Sequence, residues 1–167
     1  MNKNQLKEIF ESQKNHYVQD TKENSLEDEL QVIGFVVGNE EFAVPILNVL
    51  EIVKPIDYTR VPGTPEYVLG VFNLRGNVFA LIDLRLKFGL APTKMDKNTC
   101  YLVIKHEDMI AGFVIDRLTE ALRFKKSNID PIPDGINEKE DLMVGVGKQD
   151  DKIITILKIE NLLKKAF

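Results

Sequence analysis

The stretch GVFNLRGNVFALIDLRLKFGL, residues 70–90, decides how the chain is expected to fold. Two short apolar runs flank the Arg-Gly-Asn sequence of residues 75–77, and Gly and Asn adopt a positive φ at low cost, so we predict a tight β-hairpin. The return run, residues 78–82, is apolar throughout, which is typical of a strand buried on both faces but also compatible with a buried helix. Asp83 stands at the N-cap of a short helix, and Gly89 fits its C-terminal end.

Arg75 is the one residue of this stretch that the fold does not require. It lies at the reversal, between strands too apolar to leave the core, so we expect its guanidinium to face solvent. One interpretation is a solubilising surface charge, as most exposed charges are. The other is a fixed recognition point that offers five hydrogen-bond donors to a partner. The pattern of residues leaves both interpretations open.

Composition excludes several classes of protein. The 167 residues are 44% hydrophobic and 29% charged, which is ordinary for a soluble globular protein. A formal net charge of −4 argues against a nucleic-acid binder. No apolar run approaches the roughly 18 residues of a membrane span, and the first 15 residues lack the apolar region of a secretory signal. We therefore expect a cytoplasmic protein that does not insert into membranes.

Catalytic and metal-binding patterns are missing from the sequence. His16 and His106 have no second histidine or cysteine at the spacing of a metal site, and there is no phosphate-binding glycine loop or nucleophile elbow. Cys100, the only cysteine, begins an apolar run, where a small buried hydrophobe is the favoured interpretation. The sequence therefore predicts a protein that is not an enzyme and needs no metal or cofactor.

The order of patterns along the chain predicts several β-hairpins. Residues 1–29 are polar and acidic, and we expect a flexible N-terminal tail followed by one folded region, residues 30–167. Further hairpins are predicted within residues 32–44, 101–115 and 142–157. Residues 118–124 fit either a strand or a short helix.

Two helices are predicted from the spacing of apolar residues. A short helix over residues 46–53 follows from the spacing of Ile46, Val49, Leu50 and Val53. An amphipathic C-terminal helix follows from Ile159, Leu162, Leu163 and Phe167.

The apolar pattern of residues 78–88 returns 75 residues later, in residues 153–163. Gly70-Val71 likewise matches Gly145-Val146. This agreement suggests two similar halves of about 70 residues, and modules this small usually need a shared interface. The turn of the second half lacks the Arg-Gly pair, which permits a specialised role for Arg75.

The motifs NLRG, IDLR and KFG, preceded by GNEEF and ILNVLEI, resemble the signature of the CheW family of chemotaxis coupling proteins. The resemblance runs from about Leu30 to the C-terminal helix. It implies a mainly β fold of two intertwined five-stranded antiparallel β-barrel subdomains that share a core, with short helices. It also implies a non-catalytic adaptor between the cytoplasmic tip of membrane chemoreceptors and the regulatory domain of the histidine kinase CheA. Such a protein is recruited to membrane-associated receptor arrays.

Motif positions imply the residues of two partner sites. The receptor-binding set is Ile46, Val49, Glu51, Asn73, Arg75, Cys100 and Gly112, with Asn73 setting the hairpin geometry and Cys100 and Gly112 as floor residues. Ile46 and Val49 fit a plain core role equally well. Gly70 is placed near the kinase contact. The alternative function is a small β-barrel that binds a ligand or nucleic acid, which the acidic balance opposes.

Overall fold

The computed structural model describes residues 28–133, 135 and 140–164, and the structural statements below concern these residues. They form twelve β-strands: β1 (Glu29–Val37), β2 (Glu40–Pro45), β3 (Val49–Val53), β4 (Tyr58–Thr59), β5 (Val68–Leu74), β6 (Asn77–Asp83), β7 (Cys100–His106), β8 (Met109–Ile115), β9 (Arg117–Lys125), β10 (Ile129–Asp130), β11 (Met143–Gln149) and β12 (Lys152–Leu157). The two α-helices are α1 (Leu84–Lys87) and α2 (Ile159–Lys164). Single 3₁₀ turns lie at Ile46–Asn48, Lys126–Asn128 and Glu140–Leu142.

The strands form two six-stranded sheets with the same internal order. The first sheet runs β10-β11-β12-β2-β1-β9, and the second runs β4-β5-β6-β8-β7-β3. The hairpin β1–β2 therefore joins the strands of the second half, and the hairpin β7–β8 joins those of the first half. This exchange intertwines the two halves. The twelve strands of the described residues confirm the mainly β class. Among the described residues neither sheet closes through strand pairing, so the five-stranded barrels are not confirmed.

The 75-residue repeat is visible in the backbone of the two corresponding hairpins. The β5–β6 pairing shifts register between Val68 and Gly70, and the β11–β12 pairing shifts between Met143 and Gly145. A Cβ atom at Gly70 would collide with the carbonyl of Thr59, and one at Gly145 would lie 2.5 Å from the carbonyl oxygen of Asp130. Both glycines thus allow a short edge strand, β4 beside Gly70 and β10 beside Gly145, to lie close to their backbone.

The hydrophobic core has three parts. A shared core between the sheets contains Phe35 and Phe42 from the first sheet and Phe113 from the second. Each sheet also has its own cluster on its other face, built around Ile156 in the first sheet and Phe72 in the second. The shared core holds the two modules together as one frame, as the resemblance implied.

The predicted helix over residues 46–53 is wrong. The segment is a 3₁₀ turn followed by strand β3, which pairs antiparallel with β7. Three of the five β3 residues, Val49, Ile52 and Val53, are β-branched and fit a pleated strand better than a helix. Along β3, more buried and less buried residues alternate with a period of two. Because the apolar residues of the segment also fit the spacing of a helix, this alternation was not used in the prediction.

Other expectations are confirmed or only partly described. The segment that fitted either a strand or a helix is strand β9, and both the hairpins and helix α2 are present. Most of the predicted N-terminal tail and Phe167 lie outside the described residues. At the end of that tail, Glu29 already begins β1, and the carbonyl of Asp28 accepts a hydrogen bond from Lys126 N–H at 2.8 Å. Neither α-helix of the described chain is long and apolar enough to span a bilayer.

Asp83 caps helix α1 as predicted. Its carboxylate accepts hydrogen bonds from the backbone N–H of Arg85 at 2.8 Å and of Leu86 at 3.4 Å. Burial raises the pKa of Asp83 above its ordinary value of 3.8, and it outweighs the two N–H groups and Arg85, which lower that pKa. Asp116 adds a smaller upward effect on this pKa.

Replacing Asp83 by Asn isolates the effect of this ionisation, because Asn keeps the capping acceptor. A folded-state pKa above the unfolded one gives stability that is present below the unfolded pKa and lost as pH rises through the folded pKa. We expect the stability of the wild-type chain, relative to Asp83→Asn, to decrease as pH rises from about 3 through that window. Urea unfolding at a series of pH values measures the difference, and an increase with pH would contradict it.

Candidate functional site

The turn between β5 and β6 consists of Arg75 and Gly76. Both have positive φ, 53° and 84°, the pattern of a two-residue type I′ hairpin. The carboxamide oxygen of Asn73 accepts a hydrogen bond from Gly76 N–H at 3.1 Å, so Asn73 takes part in the turn. Asn or Gly suits position 75 better than Arg does, since the left-handed region costs most L-residues about 1–2 kcal/mol. Turn stability therefore does not explain why Arg is present.

Arg75 forms an ion pair with Glu51 of β3. The distance between Arg75 Nη2 and Glu51 Oε1 is 2.8 Å. The Arg75 side chain is 77% exposed and that of Glu51 26% exposed, so the predicted solvent-facing guanidinium is confirmed. An exposed pair contributes only about 0–1 kcal/mol to stability. Its main effect is to orient the guanidinium while leaving most of it accessible.

This ion pair links two parts of the second sheet that do not pair through their backbones. Strand β3 is one edge of that sheet, whereas β5 and β6 lie on the other side of β7 and β8 in the strand order. The sheet therefore curls until its edge strand meets the β5–β6 turn. Glu51 and Arg75, 24 residues apart in sequence, are joined across a gap that backbone pairing does not bridge.

Large apolar side chains are exposed on the two segments that the ion pair joins. Leu47 is 96% exposed and Leu50 52%, on either side of the start of β3, and Val78 is 63% exposed just after the turn. Leu50 is the extra residue of a β-bulge, because Val49 pairs with Ile104 and Glu51 with Val103. We call Leu47, Leu50, Glu51, Arg75 and Val78 the Arg75 surface. Exposed large apolar side chains together with an accessible arginine are features of many protein-binding surfaces.

The structure separates the other predicted receptor residues by depth. Ile46 is half-buried in the 3₁₀ turn that precedes β3. Val49 is half-buried and packs against the shared core. Ile46 therefore borders the Arg75 surface, while the core role is the better description of Val49.

Cys100 and Gly112 are both buried inside the protein. Cys100 is 7% exposed in the shared core, and its thiol lies 3.5 Å from the carbonyl oxygen of Asn98. A Cβ atom at Gly112 would lie 2.6 Å from the ring of Phe72, so only glycine fits this packing. Neither residue is available for direct contact in this structure, and a role in binding would act through packing below the surface.

Gly70 lies where the backbones of β4 and β5 are in close contact, and it has no side chain to present to a partner. Its φ is 151°, and it is buried where β5 passes the carbonyl of Thr59 in edge strand β4. Beside this contact Ile56 and Tyr58 are 38% and 42% exposed. Gly70 thus sets the position of β4, at the opposite end of β5 from Arg75.

Leu47 and Leu50 are not among the site residues predicted from the sequence. Leu50 was assigned to an apolar helix face, and Leu47 fell outside that face. The period-two pattern of residues 49–53, with its β-branched residues, is the signal that could have identified a strand with an exposed outer face.

The chemistry available at this surface is recognition. The described residues contain no group of three or more His, Cys, Asp or Glu side chains placed to hold a metal ion. Burial raises the pKa of the Tyr101 hydroxyl, which donates to the carbonyl of Ile56 at 2.9 Å, but Tyr101 belongs to the core of the second sheet. The Arg75 surface offers a held guanidinium and exposed apolar groups.

Replacing Arg75 by Asn is expected to stabilise the fold by about 0.5–1 kcal/mol, because Asn-Gly is the favoured type I′ sequence. Relief of the left-handed strain contributes about 1–2 kcal/mol, and the loss of one exposed ion pair, about 0–1 kcal/mol, reduces the net gain to this range. Urea unfolding measures the change. Asp150, with φ 52°, occupies the same place in the β11–β12 turn, so Asp150→Asn is the matched control, with a smaller gain. Destabilisation by Arg75→Asn would contradict this prediction and would show that the Arg75–Glu51 ion pair stabilises the fold.

Comparison with known proteins gives a consistent family match. The model of the CheW-like domain matches residues 31–167. The chemotaxis protein CheW of Helicobacter pylori (strain ATCC 700392 / 26695) is 60% identical over 164 residues, which cover 98% of this chain and 99% of that protein. The chemotaxis protein CheW of Klebsiella aerogenes is 33% identical over 130 residues, 77% of this chain and 78% of that protein.

A solved structure supports the same conclusion. The crystal structure of the scaffolding protein TtCheW from Thermoanaerobacter tengcongensis superposes with a TM-score of 0.74 at 29% sequence identity. The match covers 80% of this chain and 86% of that one.

Proposed function

The chain belongs to the CheW family, and from this premise we propose that it is a non-catalytic adaptor that couples membrane chemoreceptors to the histidine kinase CheA. The observation that carries the proposal is the exposed Arg75–Glu51 pair, held at 2.8 Å on a frame of two sheets with a shared core. An adaptor needs stiff, separate surfaces for its partners, and the two ends of β5 provide them.

The receptor binds at the Arg75 surface in this proposal. By resemblance to the family, the receptor tip is a helical hairpin, and an amphipathic helix is recognised through apolar anchors at spacings of three and four residues. Leu47, Leu50 and Val78 supply exposed apolar contacts, and Arg75 supplies a charge-assisted hydrogen bond at their side. Ile46 and Asn73 lie next to this surface in sequence, and Cys100 and Gly112 are buried in strands β7 and β8 of the same sheet.

The kinase binds near edge strand β4. Gly70 allows β4 to run close to β5, and Ile56 and Tyr58 expose apolar surface there. The regulatory domain of CheA is itself CheW-like by the family resemblance, so two similar modules would pair at this edge. Arg75 lies five positions after Gly70, about 16 Å away at the usual rise of an extended chain. The two partner sites are therefore proposed at different places along β5.

This role places the chain in the cytoplasm, at membrane-associated receptor arrays, with no cofactor. The net charge of −4 favours protein partners over nucleic acid.

Co-sedimentation of receptor-containing membranes with CheA tests the proposed function. Kinase should pellet with the membranes in proportion to the amount of this chain that is added. Membranes without receptor are the control and should retain neither protein. Equal pelleting of kinase with and without the chain would contradict the adaptor role.

A further inference from the structure

The turn between β7 and β8 lies at the same end of the second sheet as the Arg75-Gly76 turn. It consists of Glu107 and Asp108, since β7 ends at His106 and β8 begins at Met109. Strand β6 starts directly after the Arg75-Gly76 turn and runs parallel to its neighbour β8, so both strands start at this end. In the strand order β5-β6-β8-β7-β3, the β7–β8 turn therefore lies between the two segments that carry the Arg75 surface.

A hydrogen bond links this turn to the β3 side of the Arg75 surface. The side-chain Nδ2 of Asn48 donates to the carbonyl oxygen of Lys105 at 3.0 Å. Asn48 follows Leu47 in the 3₁₀ turn before β3, and Lys105 lies two residues before Glu107. The β7–β8 turn is thus continuous with the part of the Arg75 surface that exposes Leu47.

Glu107 has a backbone conformation that a glutamate does not favour. Its φ is 53°, in the left-handed region that L side chains avoid. The corresponding first residue of the β1–β2 turn is Gly38, with φ 66°, and glycine adopts this conformation without strain. Arg75 has the same φ as Glu107 at the same end of the sheet. Turn stability explains neither residue, and strained residues of this kind are concentrated at functional sites.

The carboxylate of Glu107 is accessible to a partner. Its side chain is 81% exposed. The Nε2 atom of His106 lies 3.9 Å from Glu107 Oε1, which is beyond hydrogen-bond distance, so this contact leaves the carboxylate available. Residues 105–108 carry two carboxylates against one lysine, Lys105, so the turn is acidic on balance.

We propose that Glu107 is a second charged contact of the receptor-binding surface and pairs with a basic side chain on the helical hairpin of the receptor tip. The proposal rests on the proposed function, because it adds a residue to the same receptor site. Arg75 and Glu107 have opposite charges, so a helix that matches both can lie across the surface in only one direction. The pair therefore fixes the orientation of the bound receptor helix.

Opposite changes of stability and affinity test the role of Glu107. Glu107→Gly removes both the charge and the strained conformation, so urea unfolding should have a higher midpoint while receptor affinity falls about two- to five-fold. Glu107→Gln removes the charge alone and should show the same loss of affinity without the gain in stability. A purely structural side chain would change stability and affinity in the same direction, and that result would overturn the proposal.

Charge reversal gives the larger effect and has a matched control. Glu107→Lys should raise the Kd for a labelled receptor-tip fragment about ten-fold, because like charges then face each other. Glu40→Lys makes the same change at an exposed glutamate beside the β1–β2 turn, at the opposite end of β2 from Leu47. Its affinity should stay within about two-fold of the wild type, since solvent and salt screen a charge at that distance. An equal loss of affinity in both variants would overturn the proposal.

Rescue by the receptor identifies the paired residue. The lysines and arginines of the receptor-tip fragment are changed to glutamate one at a time, and one of these changes should restore the affinity of Glu107→Lys. Absence of rescue by every such change, or unchanged affinity of Glu107→Lys while Arg75→Asp still weakens binding, would overturn the proposal and leave the proposed function intact. Failure of the wild-type chain to bind the fragment would instead refute the proposed function, and this proposal with it.

Discussion

Replacing Arg75 by Asp is expected to weaken receptor binding by about 1–3 kcal/mol, which corresponds to a roughly 5- to 150-fold higher Kd. The substitution removes a charge-assisted contact and places a second carboxylate beside Glu51, which lies 2.8 Å from the Arg75 guanidinium in the wild-type chain. The fold should remain intact, because the side chain is 77% exposed and lies outside the core. Fluorescence anisotropy with a labelled receptor-tip fragment measures the affinity.

Arg117→Asp is the matched control for this prediction. Arg117 is an exposed arginine on β9 of the first sheet, so the same change of charge is made away from the Arg75 surface. Receptor affinity should stay within about two-fold of the wild type there, as expected for a distant surface charge. Equal receptor affinity of Arg75→Asp and the wild type, with kinase binding also intact, would remove Arg75 from the site.

Replacing Gly70 by Ala is expected to destabilise the chain by about 2–4 kcal/mol. The added Cβ would overlap the carbonyl of Thr59, and φ 151° disfavours an L side chain. Strand β4 must move away from β5, so we also expect weaker binding of CheA. Urea unfolding and a kinase pull-down measure the two effects.

Gly145→Ala separates the loss of stability from the loss of the kinase site. Gly145 occupies the same position in the repeated hairpin, and its Cβ would lie 2.5 Å from the carbonyl oxygen of Asp130. This variant should lose stability through the same kind of clash but keep its kinase affinity at temperatures where it is folded. An equal loss of kinase binding in both variants would show that instability alone is responsible, and Gly70 would then leave the kinase site.

Local chemistry explains why the hairpins were predictable. The Arg75-Gly76 turn and the Asp83 cap each depend on a few neighbouring residues, and both are present as expected. The segment 46–53 was mistaken for a helix because apolar residues at spacings of three and four also lie along a bulged strand. Periodicity cannot distinguish the two when the segment is this short.

The exchange of hairpins between the sheets could not be read from the apolar pattern. The 75-residue repeat indicated two halves that follow each other along the chain. A repeat of apolar positions does not show which strand pairs with which, so it could not predict the exchange. The intertwined arrangement was implied only by the family resemblance. The equal strand order of the two sheets now explains both observations.

The candidate site was predictable to different degrees. The exposure of Arg75 followed from its place between two apolar strands, but its contact with Glu51 depends on the curl of the sheet, which no local pattern specifies. Burial of Cys100 fits its apolar surroundings. Leu47 and Leu50 were missed because exposure of an apolar residue depends on which neighbours cover it in the fold.

Chemical-shift mapping of the full-length chain with a receptor-tip fragment tests most directly the claim that the Arg75 surface binds the receptor. The largest amide shifts should occur at Leu47, Leu50 and the Arg75-Gly76 turn, and they should be smaller with Arg75→Asp at the same fragment concentration. The corresponding turn at Asp150 in the other sheet should not respond. Shifts centred on that second turn, with the Arg75 signals unmoved, would contradict the account.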